Sequence, residues 1–187
     1  LNIGKGSFND ITSVNLGQSL QFERNKYLNK NSGINDKFSD ITGNFDFKPI
    51  SNINFNSYFI IDKNDFSLKN AYSNLLIRQK NAYLSISNNH YSPVIDETGE
   101  VLIEGKNQFS LMYEQKFYDF WNFTAFSTFD KKSKLKLYNY GTKIKYEDEC
   151  FGISLSWTRQ YTHNPEDPTS NNFIFLFSLK EIMESNL

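Results

Sequence analysis

Several features are scarce in this sequence of 187 residues, and each scarcity removes a class of protein. A single cysteine excludes an internal disulfide framework. The two histidines, His90 and His163, stand too far apart for a local metal motif, so neither metal nor cofactor is expected. Lys and Arg number 20 against 21 Asp and Glu, a formal net charge of -1, which offers nothing to draw nucleic acid. No apolar run approaches the roughly 18 residues of a membrane helix. That excludes a helical span but not a β-barrel, whose strands average to near-neutral hydropathy. Paired carboxylates, a Gly-rich phosphate loop, zinc spacing and a G-x-S-x-G elbow are all missing, and no enzyme is expected. The chain opens on Leu1 without a charged-then-apolar leader, which suggests a mature or excised segment.

Aromatic residues, by contrast, are abundant. There are 18 Phe, 11 Tyr and 2 Trp, or 17% of the chain, against a polar mean hydropathy of -0.56. A chain with alternating wet and greasy faces reconciles the two. From Phe151 the odd positions read Phe151, Ile153, Leu155, Trp157 and the even ones Gly152, Ser154, Ser156, Thr158. Period two with one apolar face is a half-buried strand. The pattern returns at Phe173, Phe175, Phe177, Leu179, and at Ile53, Phe55, Phe59, Ile61, whose opposite face is Asn52, Asn54, Asn56, Tyr58. Further runs carry Val14, Leu16, Leu20, Phe22; Ile41, Phe45, Phe47; Ala82, Leu84, Ile86; Phe109, Leu111, Tyr113; and Trp121, Phe123, Ala125. Weaker runs span Phe66 to Arg78 and Lys134 to Tyr146. The reading is all-β: an antiparallel up-and-down meander of about ten long strands.

The connections alternate in length. Those around Pro49–Ser51, Lys80–Asn81, Tyr118 and Glu147–Glu149 are tight. Arg24–Lys37, Asp62–Asp65, Ser92–Glu104, Asp130–Ser133 and Thr162–Asn171 are longer or more polar. Outer-membrane barrels show this rhythm, with short periplasmic turns and long extracellular loops. Most runs reach about ten to thirteen residues against a usual mode of five or six, and a tilted membrane strand needs roughly 9–11. Tyr138 and Tyr140, sharing a face with Ile144 and Tyr146, fit either an interfacial girdle or an ordinary exposed sheet.

The isolated chemical features each have a bland reading beside the functional one. His90 and Ser92 invite an esterase comparison, but no third group orients the imidazole, and a rim residue is the better reading. Lys131, Lys132, Lys134 and Lys136 read as a solvated hairpin tip, with contact to anionic lipid phosphates as the functional alternative. The sequon at Asn122 lies inside a strand. Cys150 follows a turn of the short class, so it belongs at the periplasmic rim, and the strand's alternation groups it with Gly152, Ser154 and Ser156 toward the lumen. A leftover thiol in an oxidising compartment suggests pairing elsewhere.

YEDECFGISLSWTRQYT (Tyr146–Thr162), followed by FIFLFSLK, resembles the C-terminal end of the LPS-assembly protein family (LptD, organic solvent tolerance protein) in its alphaproteobacterial form. GINDKFSDITGNFDF (Gly33–Phe47) and LGQSLQF (Leu16–Phe22) are similar to that family in the same order. The resemblance implies lipopolysaccharide transport at the outer membrane of a Gram-negative bacterium, through a barrel lumen and a lateral gate. The implied partners are lipopolysaccharide, an LptE-like lipoprotein plug, the periplasmic LPS bridge proteins and outer-membrane lipid. Residues 1–187 would then be the C-terminal part of the barrel, without the periplasmic jellyroll and the earlier strands. The resemblance also implies a disulfide from Cys150 to the N-terminal periplasmic region, and a last strand carrying Phe173, Phe175, Phe177 and Leu179 beside the lateral opening. Thr42, Asn44, Asp46, Asn52, Asn54, Asn56, Ser154 and Ser156 would line the lumen, and Phe151, Ile153, Leu155 and Trp157 would face lipid. The tail EIMESNL runs longer than the family ending. A passive porin-like channel and a soluble all-β binding module with a sandwich core stay open as alternatives.

Overall fold

A computed structural model of the chain describes residues 2–3, 11–22, 36–95, 99–131, 136–161 and 169–180. The described residues form strands and turns without a helix, so no helix is long and apolar enough to cross a membrane; crossing by strands is a separate matter. The strands are β1 (Asn2–Ile3), β2 (Thr12–Gly17), β3 (Ile41–Ile50), β4 (Ile53–Ile61), β5 (Leu68–Gln79), β6 (Ala82–Tyr91), β7 (Val94–Ile95), β8 (Val101–Ile103), β9 (Lys106–Phe117), β10 (Trp121–Asp130), β11 (Lys136–Glu147), β12 (Phe151–Tyr161) and β13 (Thr169–Leu179). Eleven of them make one sheet in the order β1-β2-β3-β4-β5-β6-β9-β10-β11-β12-β13. Every neighbouring pair in it is antiparallel. β7 and β8 form a separate two-stranded hairpin inside the β6–β9 connection.

Each of the ten alternating runs contains a strand, the Val14–Phe22 run only in its first half, and the long strands hold 9 to 12 residues. The alternation of connections also holds. Short turns at Ser51–Asn52, Lys80–Asn81, Tyr118–Phe120 and Asp148–Cys150 gather at one end of the sheet. The longer connections, β2–β3, β4–β5, β6–β9, β10–β11 and β12–β13, gather at the other. The two legs of the β2–β3 connection keep pairing beyond the strands, through Gln21 N to Lys37 O at 2.8 Å and Ser39 N to Ser19 O at 2.9 Å.

Three local expectations change. The run through Leu20 and Phe22 is not strand: β2 stops at Gly17, Leu20 keeps a lone bridge to Phe38, and Phe22 is 92% exposed. The turn expected at Pro49–Ser51 moves to Ser51–Asn52, because Ile50 pairs with Ile53 across a register shift. The Ser92–Glu104 segment, expected as loop, contains the β7–β8 hairpin, reversed near Gly99 at φ 87°. The short apolar runs Val94-Ile95 and Val101-Leu102-Ile103 were its signal.

Among the described residues no apolar side chain is buried. The sheet is therefore a single layer, and the sandwich alternative lacks the second layer that would make a core. Close strand approach depends instead on small residues. A Cβ on Gly141 would collide with the Trp157 carbonyl oxygen and lie 2.9 Å from the Phe126 ring. The carbonyl cannot retreat without opening the β11–β12 ladder. The short turn before β12 is closed by Asp148, whose Oδ1 accepts from the amides of Cys150 and Phe151, both at 2.8 Å. The Phe151 amide, then the Cys150 amide and the Tyr146 hydroxyl, hold the Asp148 carboxyl below its usual range.

Gly141→Ala should lower the unfolding stability of the protein by about 1–3 kcal/mol through overpacking. Gly152→Ala should stay within about 0.5 kcal/mol, because its nearest obstacle is the Ser178 hydroxyl, which can rotate; denaturant midpoints compare the two. A carboxylate with a depressed folded-state pKa stabilises fully above its unfolded value, about 3.9, and loses that contribution as pH falls through the folded one. Amide exchange protection at Cys150 and Phe151, corrected for intrinsic rates, should therefore fall on acidification below about pH 4. Asp148→Ala should remove both the protection and its pH dependence.

Candidate functional site

Antiparallel pairing places directly opposed residues on the same face. Phe151, Ile153, Leu155 and Trp157 stand opposite Leu179, Phe177, Phe175 and Phe173 of β13. On the other side, Ile153, Leu155 and Trp157 oppose Tyr146, Ile144 and Thr142 of β11. The same face continues through Trp121, Phe123 and Ala125, Leu111 and Tyr113, Leu84 and Ile86, Leu75 and Ile77, Phe55 and Phe59, and Phe45 and Phe47. It ends at Val14 of β2. Aromatic contacts gather at both ends of it. At the short-turn end Trp121 and Phe151 lie 5.1 and 5.4 Å from Tyr146. At the other end Tyr140 meets Trp157 edge-on at 5.5 Å.

The opposite face is polar, and the register joins residues far apart in sequence. Thr42, Asn44 and Asp46 on β3, Asn54 and Asn56 on β4, and Ser154 and Ser156 on β12 all belong to it. Between them lie Asn74, Ser85, Glu114, Asn122 and Lys145. These side chains bond to one another. Asp46 Oδ2 accepts from Asn44 Nδ2 at 3.2 Å, Asn74 Oδ1 accepts from Ser85 Oγ at 2.7 Å, and the Glu114 carboxylate accepts from Tyr83 at 2.8 Å and from Asn122 at 2.6 Å. The shielded amide oxygens of Asn54, Asn89, Asn122 and Asn139, all on this face by register, have no partner among the described residues. Chemically the face is a broad wall of hydroxyls, amides and a few charges.

Some expected placements differ. Asn52 is not part of the polar face: β4 begins at Ile53, and Asn52 sits in the preceding turn with its carbonyl accepting from Arg78 N at 2.7 Å. Cys150 does not open the strand either. It is exposed, one residue before β12 in the short turn, and its carbonyl accepts from Lys180 N at 2.9 Å. Tyr138 parts from Tyr140 because the β10–β11 register shifts at Thr128/Phe129, leaving Tyr138 unopposed; its hydroxyl accepts from Gln160, whose opposite residue is Asn139 of the polar face. His90 opposes Ala71 and Asn107 on the apolar face. The Ser92 hydroxyl donates to the Leu68 carbonyl at 2.7 Å rather than to His90, so no hydroxyl–imidazole pair is assembled. Lys131 lies 5.5 Å over the Phe109 ring, and Lys136 opposes Asp130. Lys132, Lys134 and the tail after Lys180 lie outside the described residues.

Sequence reasoning overlooked two residues of β13. Ile174 and Leu176 stand on the polar face, opposite Ser156 and Ser154, and are 52% and 58% exposed. The unbroken run FIFLF was the signal, since a strand apolar on both faces loses its alternation. Among the described residues β13 pairs only with β12, so its outer edge is free.

Each end of the sheet carries an ionic cluster. At the short-turn end, Glu147 pairs with Lys145 and, at 3.0 Å, with Lys180, beside a cavity of about 490 Å³ lined by Lys116, Asp119 and Trp121. At the other end Lys69 bridges Asp40 at 2.8 Å and Asp62 at 2.6 Å, while Lys63 reaches Asp36 at 3.0 Å. The Lys69 ammonium, then the Asn64 amide, hold the Asp62 carboxyl below its usual range. Among the described residues no cluster of three metal-ligating side chains occurs.

A comparison with curated proteins finds no match. The profile of the family described as "LptD: LPS transport system D" matches residues 4–104, which is more than half of the chain. The match contains the Leu16–Phe22 and Gly33–Phe47 segments and stops before Tyr146–Thr162. On that match, and with an all-β meander whose two faces differ so sharply, the chain belongs to the LptD family of lipopolysaccharide transport and assembly at the Gram-negative outer membrane.

Proposed function

We propose that this sheet is a section of the wall of a barrel that delivers lipopolysaccharide to the outer leaflet. The observation that carries the reading is the single layer with one predominantly polar face, an apolar reverse and no buried apolar residue among those described. The polar face is the lumen wall, offering hydroxyl and amide partners to sugars. The apolar face meets lipid hydrocarbon, which supplies the second layer that the protein does not. From Phe151 to Tyr161 is ten residue steps, roughly 33 Å of strand, or about 25 Å of height at a tilt near 40°, the span of an outer-membrane apolar band. The short-turn end is periplasmic.

The residues 1–187 form the C-terminal part of the barrel, and the two free edges of the sheet support a larger closed structure. β13, with Phe173, Phe175, Phe177 and Leu179 outward and Ile174 and Leu176 inward, flanks a lateral opening through which acyl chains leave. Its apolar character on both faces suits a strand that touches acyl chains on either side. Exposed Cys150 at the periplasmic rim forms a disulfide with a cysteine of the N-terminal periplasmic region. An LptE-like lipoprotein fills the lumen, and periplasmic bridge proteins supply the lipid. Membership of a transport family favours this reading over a passive porin-like pore.

Photo-crosslinking residues at Asn56 or Ser154 of the full-length protein in cells should form lipopolysaccharide adducts that vanish when delivery across the periplasmic bridge is blocked. Adducts at Leu155, made with resident membrane lipid, should persist. Absence of supply-dependent adducts at the polar positions would sink the lumen assignment. On non-reducing gels, full-length protein should shift in mobility after reduction, and Cys150→Ser should abolish that shift.

A further inference from the structure

The apolar face carries almost no charge. Among the described residues that the register places on it, one side chain has a formal charge: Arg159 of β12. It opposes Tyr140 on β11 and Asn171 on β13, and Trp157 and Tyr161 flank it on the same face of its own strand. Its guanidinium carbon lies 5.6 Å from the Tyr161 ring centroid. Tyr140 stacks on Tyr161 at 6.4 Å and meets Trp157 edge-on at 5.5 Å, so the ring beneath the cation belongs to a cluster of three. Nε is shielded from water and has no hydrogen-bond partner, and no carboxylate among the described residues pairs with the guanidinium.

An unpaired cation on such a face needs a reason. At the membrane midplane an outward Arg costs roughly 2–4 kcal/mol, falling to about 0–1 near the interface. Arg159 is two residues from the end of β12 on the side of the long connections, which is headgroup depth. The chemistry found there is phosphate, whose oxygens match the planar donor fork of a guanidinium. Aromatic neighbours at that depth hold the fork by cation–π contact while their rings stay among the first carbons of the acyl chains.

We propose that Arg159, held over Tyr161 and opposite Tyr140, is an exterior binding site for the phosphate of an outer-leaflet lipid headgroup. It is separate from the lumen and on the opposite surface of the sheet. The proposal rests on the apolar face being the lipid face.

The test uses full-length protein purified from outer membranes and placed in phosphatidylethanolamine nanodiscs doped with diphosphoryl lipid A, with retained lipid counted by native mass spectrometry. Arg159→Gln should lower retention of diphosphoryl lipid A by about five- to tenfold, as expected when a charge-assisted bidentate hydrogen bond is removed. Arg159→Lys should retain an intermediate amount. Arg78→Gln, a charge removed from the polar face, should leave retention unchanged. Dephosphorylated lipid A should show no dependence on residue 159, and millimolar inorganic phosphate should not displace the bound lipid. Equal retention by wild type and Arg159→Gln overturns the proposal, as does displacement by free phosphate, which would make the site a small-anion site. A diazirine residue at Leu155 distinguishes failure of the site from failure of the lipid face. If it labels acyl chains while Arg159→Gln changes nothing, only the Arg159 site fails; if it labels no lipid, the lipid-face reading fails with it.

Discussion

Everything in this sheet depends on side-chain parity being carried without slip across ten consecutive strand pairings. A shift of one residue would turn a whole strand over and put phenylalanines among the asparagines. Register breaks do occur, at Phe47/Ile50, Ile60/Ile61 and Thr128/Phe129. All three sit at the ends of their strands, where a change of face costs little because the environment is already mixed. The central rows, from Val14 through Leu75 and Phe123 to Leu155, keep one parity throughout. That is why residues as distant as Thr42 and Ser156 belong to one continuous wall.

The same parity decides where the stabilising burial must come from. With no apolar side chain buried among the described residues, the hydrophobic contribution of Phe, Ile and Leu is not realised within the protein itself. A single layer of strands has only its backbone ladder, ring contacts and side-chain hydrogen bonds, and such a layer needs a second apolar surface to be stable. On the proposed reading the bilayer is that surface, and the polar face stays hydrated or in contact with sugars. The ionic clusters at Glu147 and at Lys69 tie the ends of the sheet outside the apolar band.

Much of the fold was legible in the sequence because period-two alternation of aromatic and small polar residues suits an extended strand and little else. All ten runs yielded a strand, the Val14–Phe22 run only as far as Gly17, and the short-long rhythm of connections became two distinct ends. What was not legible arose at boundaries, where pairing between distant residues overrides local pattern. Asn52 continues the Asn54–Asn56 series in sequence, yet the Ile50–Ile53 pairing leaves it in a turn. Cys150 continues the Ser154–Gly152 series, yet the Asp148 carboxylate captures its amide and keeps it out of the strand. Tyr138 has the right spacing, but a bulge in the partner ladder displaces it. Ile174 and Leu176 were missed for the opposite reason, because a run without alternation carries no face label. Arg159 continues the Phe151–Trp157 parity in sequence, but only the structure shows the aromatic ring beneath it.

The uncrossed order of the strands has a kinetic consequence. Each strand of the sheet pairs with the next one along the chain, the sole interruption being the small β7–β8 hairpin, which is itself local. Contacts of low sequence separation form quickly, because little loop-closure entropy precedes them. Hairpins of this sheet can therefore assemble as a growing series, each new strand templated on the one before. On the proposed reading, joining the outer edge of β13 to the first strand of the barrel is the exception, a contact of very high sequence separation made after the rest. Until that contact forms, a strand with the apolar run Phe173–Phe177 waits with one side unpaired, and the growing sheet is most exposed to wrong partners at that edge.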